Sequence, residues 1–143
     1  KEFINKLNQL HQHKFLFRLP TEAEWEFACT EGGLRVRFCN GKNTSRKSEI
    51  HFRGDKTSPV QNYAPNSFGL YDMSGNVWEW THDYYAEYGM SPVTDPVTTS
   101  GTYRVFRGGY WGYSPYKQRS AERSGNVPKD RRYLIGFRLG ISY

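Results

Sequence analysis

The residues with the greatest capacity for chemistry lie in one stretch, Asn66 to Asp83, which reads Asn-Ser-Phe-Gly-Leu-Tyr-Asp-Met-Ser-Gly-Asn-Val-Trp-Glu-Trp-Thr-His-Asp. Turn residues (Asn66, Gly69, Gly75, Asn76) precede Trp78 and Trp80, which flank a single acid, Glu79. Side chains alternate along an extended segment, so both indoles share one face and the carboxylate takes the other. Glu79 then faces a turn supplied with Asp72, Asn76 and backbone carbonyls, an oxygen-rich set suited to a hard cation. The same pattern also reads as a buried strand whose Glu79 is satisfied by a backbone amide or an arginine. Residue types alone leave both readings open.

Other chemistry-bearing residues are scarcer. Cys29 and Cys39 stand ten residues apart in a spacing that resembles no zinc or redox motif, so they read as buried thiols. A disulfide between them requires a turn that brings their Cα atoms within about 7 Å. His11 and His13 follow a helical pattern and read as a solvated or dipole-stabilised pair, and lone His51 as a surface residue.

Several elements must position these groups. Phe3, Ile4, Leu7 and Leu10 recur at helical spacing, predicting an amphipathic helix of about three turns. Phe15 to Phe17 reads as a short strand. Thr21, with Glu24 three residues on, forms a capping box for a second helix that ends near Gly32-Gly33. Trp25 and Ala28 fall on one face of that helix, with Glu22 and Glu26 on the other. The region from Leu34 to Ala64 is polar and rich in turn formers, with Ile50 to Phe52 as a short strand. Tyr84 to Ser100 is a long loop. Tyr103 to Gly109 and Ile135 to Ile141 read as strands, with Phe137 and Leu139 on one face of the last and Arg138 on the other.

Composition bounds the class. The 143 residues fit one domain spanning 1–143. An aromatic content of 17% with 14 glycines points to a loop-heavy fold rather than a helix bundle. No apolar run is long enough to span a membrane. The formal charge is +6, and from Tyr103 onward nine Lys or Arg face only Glu122 and Asp130. These arginines follow no helical stripe and sit beside glycines and aromatics, so most read as braces for loops, and nucleic acid is not expected as a partner.

Four words stand in order: Arg18-Leu-Pro-Thr-Glu-Ala-Glu-Trp-Glu-Phe-Ala28, Phe68 to Trp80, Arg104-Val-Phe-Arg-Gly-Gly109 and Gly136-Phe-Arg-Leu139. Together they resemble the formylglycine-generating enzyme, or sulfatase-modifying factor, family. Arg119 to Arg123 and Pro128 fit its spacing. The resemblance implies an α+β fold of the C-type-lectin kind, loop-rich, with short strands and two helices near the N-terminus. It also implies that an N-terminal portion of the family domain is missing here, or is supplied as a separate segment.

The resemblance further implies a structural Ca²⁺ held by Asp72, the carbonyls of Gly75 and Val77, and Glu79. Oxidases of the family hold copper with two thiolates between the Arg-Gly-Gly and Arg-rich words, as soft Cu(I) requires. Here that window, Tyr110 to Gln118, has no cysteine, so copper and catalytic residues are not expected. A related branch uses non-haem iron for sulfoxide synthesis, with histidine ligands from an additional helical domain not present in these 143 residues. What the window offers instead is a recognition surface: Tyr110, Trp111, Tyr113, Ser114, Tyr116, Ser124, Asn126 and Tyr133, large amphipathic contacts among small polar ones. The expected role is a non-catalytic binding or scaffold domain for a protein or carbohydrate ligand. It would be a variable protein of a diversity-generating retroelement or a bacterial surface protein, placed outside the cytoplasm. The alternative is a formylglycine-generating oxidase, or a related metal-dependent oxidoreductase, acting on a protein cysteine.

Overall fold

The computed structural model describes residues 2–12 and 14–142. Helix α1 (Glu2–Leu10) leads into strand β1 (Leu16–Arg18) and helix α2 (Glu22–Cys29). Strands β2 (Trp78–Tyr84), β3 (Arg104–Arg107), β4 (Arg123–Asn126), β5 (Ile135–Phe137) and β6 (Gly140–Ser142) follow, with one 3₁₀ turn at Pro115–Gln118. The two helices and short strands form the expected loop-rich α+β architecture. Among the described residues no helix is long and apolar enough to cross a membrane.

The capping box forms as its spacing requires. Thr21 Oγ1 accepts from the Glu24 N–H, and the Glu24 carboxylate accepts from the Thr21 N–H. Trp25 and Cys29 enter the core, where they cluster with Cys39 and Met73. The opposite face of α2 is only partly open to water, although a helical wheel would leave it solvated. Glu22 is buried against Arg107 and Arg123, and Glu26 also binds Arg107, whose side chain is 0% exposed.

Four strands form a sheet in the order β4-β3-β2-β5. β2 pairs antiparallel with β3, setting Glu79 opposite Arg107, and parallel with β5, setting Glu79 opposite Gly136. Both β2 indoles meet Phe106, with ring centroids 5.0 Å away for Trp78 and 5.1 Å for Trp80. The alternation of the Trp-Glu-Trp word therefore holds.

Three expectations are corrected. The final strand is two: β5 belongs to the large sheet, whereas β6 pairs with β1 in a separate two-stranded sheet. The break falls at Arg138 and Leu139, where the Arg138 guanidinium turns onto Glu79. Ile50 to Phe52 is not a strand but contributes one isolated bridge, His51 to Gly75, since its neighbours offer no longer run of backbone pairing; Ile50 and Phe52 pack in a small cluster with Phe38. The cysteines are not free thiols. Cys29 and Cys39 form a disulfide with their Cα atoms 4.4 Å apart. The polar loop after α2 folds back through a bridge between Phe38 and Lys42, which the linear spacing does not disclose. His13 lies outside the described residues, and His11 packs against Phe17.

Candidate functional site

The central turn is built on left-handed backbone. Asp72, Gly75 and Asn76 have φ of 56°, 88° and 61°, which Asp and Asn tolerate better than most residues. At Gly75 a Cβ would lie 2.3 Å from the His51 carbonyl oxygen, so only glycine allows the chains to approach. Asn76 holds the surrounding loops: its side chain accepts from the Ser58 N–H and donates to the Ser58 carbonyl. Its own N–H donates to the His51 carbonyl, and its carbonyl accepts from the Trp111 N–H. The turn is thus joined directly to the aromatic window.

Glu79 is buried, with its carboxylate engaged. Oε1 accepts from Arg138 Nη2 at 2.6 Å, while Oε2 accepts from Arg138 Nε at 2.6 Å and Trp25 Nε1 at 2.7 Å. Arg138 Nη2 also donates to the Tyr71 carbonyl. Burial opposes the Arg138 charge, but Glu79 in contact and Asp72 nearby outweigh it and hold the guanidinium above its ordinary value. Of the two readings left open for Glu79, its pairing with an arginine is present. Asp72 Oδ2 accepts from the Gln61 N–H.

The donor chemistry of Asp72, Gly75, Val77 and Glu79 is all oxygen and suits a hard cation. A cavity of about 20 Å³ beside Asp72 is lined also by Asn40, Glu49 and Asn66. It has room for one water-sized occupant. Glu49 Oε2 and Asn40 Nδ2, both buried, have no hydrogen-bond partner among the described residues.

The aromatic window rests on a rigid floor. Gly109 has φ 76°, and a Cβ there would lie 2.3 Å from the Lys117 carbonyl oxygen. Gln118 is fully buried and donates to the Tyr110 carbonyl, while Ser74 Oγ donates to the Gln118 carbonyl. The Gly54 and Arg53 N–H groups donate to the carbonyls of Trp111 and Tyr113. On this floor Tyr110 meets Tyr113 at 4.5 Å and Trp111 at 5.5 Å, and Trp111 meets Tyr133 at 6.1 Å. Tyr113 is 45% exposed and Tyr133 76%. Desolvation and the neighbouring Tyr113 and Tyr133 phenols push the Tyr110 phenol up.

The other four expected contacts lie apart from this cluster or are otherwise engaged. Tyr116 carries the Arg119 guanidinium 3.9 Å above its ring. The Ser114 carbonyl opens the 3₁₀ turn by accepting from the Lys117 N–H. Ser124 and Asn126 stand on β4, at the opposite edge of the sheet from the β5 edge into which Tyr133 leads. Two intervening strands put those edges about 14 Å apart. Asn126 is closed on Asp130 and Val127. Residue spacing missed the supports: the His51 to Gly54 segment, Gln118, and Arg138 as the partner of Glu79. Only Arg138 left a signal, through its alternation with Phe137 and Leu139.

Residues 1–142 match the sulfatase-modifying factor enzyme 1-like domain. The chain belongs to this family. Among relatives, the serine/threonine-protein kinase Pkn1 of Chlamydia trachomatis serovar L2 is 39% identical over 126 residues, covering 85% of this chain and 20% of that protein. The formylglycine-generating enzyme of Mus musculus is 38% identical over 149 residues, covering 88% of this chain and 39% of the enzyme. The solved structure of Treponema denticola variable protein 1 superposes with a TM-score of 0.78 at 38% identity, covering 86% of this chain and 46% of that one. The chain thus spans less than half the length of each.

Proposed function

We propose that this domain is a non-catalytic recognition or scaffold module of the sulfatase-modifying factor family, with Tyr110, Trp111, Tyr113 and Tyr133 as its contact surface. The observation that carries the reading is the fate of the thiols. The window that holds a thiolate pair in the family's oxidases is occupied by aromatic residues, while Cys29 and Cys39 are joined to each other in the core. Rigid tyrosines on a braced floor suit recognition, because little side-chain entropy is lost on contact. Likeness to the Treponema variable protein supports a retroelement variable protein or a surface protein. The disulfide supports an oxidising compartment outside the cytoplasm. The competing reading, an oxidase of protein cysteines, draws on the 38% identity to the mouse enzyme. A Cu(I) titration with a cysteine-peptide oxidation assay separates the two. Stoichiometric copper uptake with aldehyde formation establishes the oxidase; neither is expected.

Calcium at Asp72, Gly75, Val77 and Glu79 belongs to the same proposal as a structural ion. The all-oxygen character of the four donors is what supports it. The melting temperature should fall on chelation and recover with Ca²⁺ rather than Mg²⁺. Glu79→Gln weakens the Arg138 pair with or without calcium, so the readout is the calcium-dependent part of the shift, which that variant should lose. A melt unchanged by EDTA removes the ion from the proposal.

A further inference from the structure

Between α1 and the large sheet lies a hollow that the recognition reading does not use. We propose that it binds a small amphipathic carboxylate, an aryl or alkyl body carrying a single acid group. Glu79 and Asp83 of β2 bond to α2, so the alternate residues Trp80 and His82 take the other face of the sheet. Trp80 stands opposite Phe106 on β3 and Phe137 on β5. Helix α1 covers this face loosely: it buries none of its residues, and Phe3 meets Phe137 with ring centroids 5.8 Å apart. The hollow left between them has a volume of about 380 Å³ and an apolar lining of Phe3, Ile4, Leu19, Trp80, Pro128 and Phe137. That volume lies within the range of small-molecule sites. Phe3 is 57% and Phe137 50% exposed, so an apolar ligand body covers surface that the fold itself leaves in water. None of Tyr110, Trp111, Tyr113 and Tyr133 lines the hollow.

The charge of the lining selects the acid group. Arg18, His82 and Arg104 line the hollow, and among the described residues no Asp or Glu does. Arg18 is already neutralised by Glu24. Arg104 forms no ion pair among the described residues. Its guanidinium carbon lies 4.0 Å from the Tyr84 ring centroid. Stacking takes the flat face of a guanidinium and leaves its in-plane N–H edge, which fits a carboxylate through two parallel hydrogen bonds. One uncompensated cation in an otherwise apolar lining matches a monoanion better than a phosphate dianion.

Titration calorimetry on the domain tests this with naphthoate and decanoate as the aryl and alkyl acids, naphthol as a neutral analogue and decylammonium as the opposite charge. The expected result is that an acid binds at least about tenfold tighter than its uncharged or cationic counterpart, as a charge-assisted hydrogen bond allows. The tighter of the two acids identifies the body. Arg104→Gln should abolish the preference for the acid. Phe3→Ala, on a helix that buries none of its residues, should melt as the parent does and weaken the acid by about tenfold. In the parent, nuclear Overhauser contacts from ligand protons to the Trp80 indole place the ligand without recourse to a variant. Equal binding of naphthol or decylammonium, contacts that miss Trp80, a preference unchanged by Arg104→Gln, or no binding overturns the proposal. A domain that light scattering shows to be dimeric, and that Phe3→Ala makes monomeric, overturns it as well by making the hollow an interface between copies. Copper uptake with aldehyde formation, which defeats the non-catalytic reading, leaves this site standing.

Discussion

Glu22 accepts from Arg107 and Arg123, while its own N–H donates to Asp83, tying the start of α2 to β2 and β4. Burial of this carboxyl raises its pKa, but the two guanidinium groups outweigh that and hold it below the ordinary value of 4.5. A carboxyl depressed on folding contributes stability that is present above its unfolded value and is lost as pH falls through the folded value. The domain should therefore lose stability below about pH 4.5 more steeply than its exposed acids alone would cause. Arg123→Met should cost about 3 kcal/mol at neutral pH, because it strips one partner from a buried pair. It should also make the acid limb shallower. A urea midpoint series against pH measures both; an unchanged acid limb means that Arg107 alone sets the Glu22 pKa.

At the scale of elements, the disulfide fastens the end of α2 to the turn around Phe38, which carries the polar loop toward the aromatic window. The Cys39 N–H donates to Ser74 Oγ, which in turn donates to the Gln118 carbonyl. Cross-linking residues ten apart restricts the unfolded chain by about 2–3 kcal/mol. Replacing both cysteines with alanine should lower stability by roughly that amount, measured by denaturant midpoint, and reductant should then have no further effect. A larger loss would mean that the bridge also holds the Phe38, Ile50 and Phe52 cluster together. The loop after β2 is held at a few points. It is stitched at Asp83 to Thr98, at Tyr85 to Tyr103 and at Tyr88, whose hydroxyl donates to Glu22 and whose ring carries the Arg123 guanidinium, while Met90 and Val93 stand exposed.

For the whole molecule, local rules were readable where neighbours in sequence settle the outcome. The capping box, the alternation of Trp78, Glu79 and Trp80, and the glycine-bearing turn all follow from backbone stereochemistry within a few residues. The four ordered words carried the fold class and the family. The lack of cysteine between Tyr110 and Gln118 is likewise a property of sequence. What depends on contacts across the chain could not be read from it. That Glu79 meets an arginine depends on Arg138, 59 residues away. Whether Cys29 and Cys39 bond depends on the path of an irregular loop. Which of eight candidate contacts share a surface depends on the order β4-β3-β2-β5, which separates Ser124 and Asn126 from Tyr133 and leaves the four neighbouring rings together. Periodicity and capping are short-range constraints that each residue imposes on its own neighbourhood. Salt-bridge choice, disulfide pairing and surface assembly are settled only when packing fixes distances between segments that no spacing rule connects.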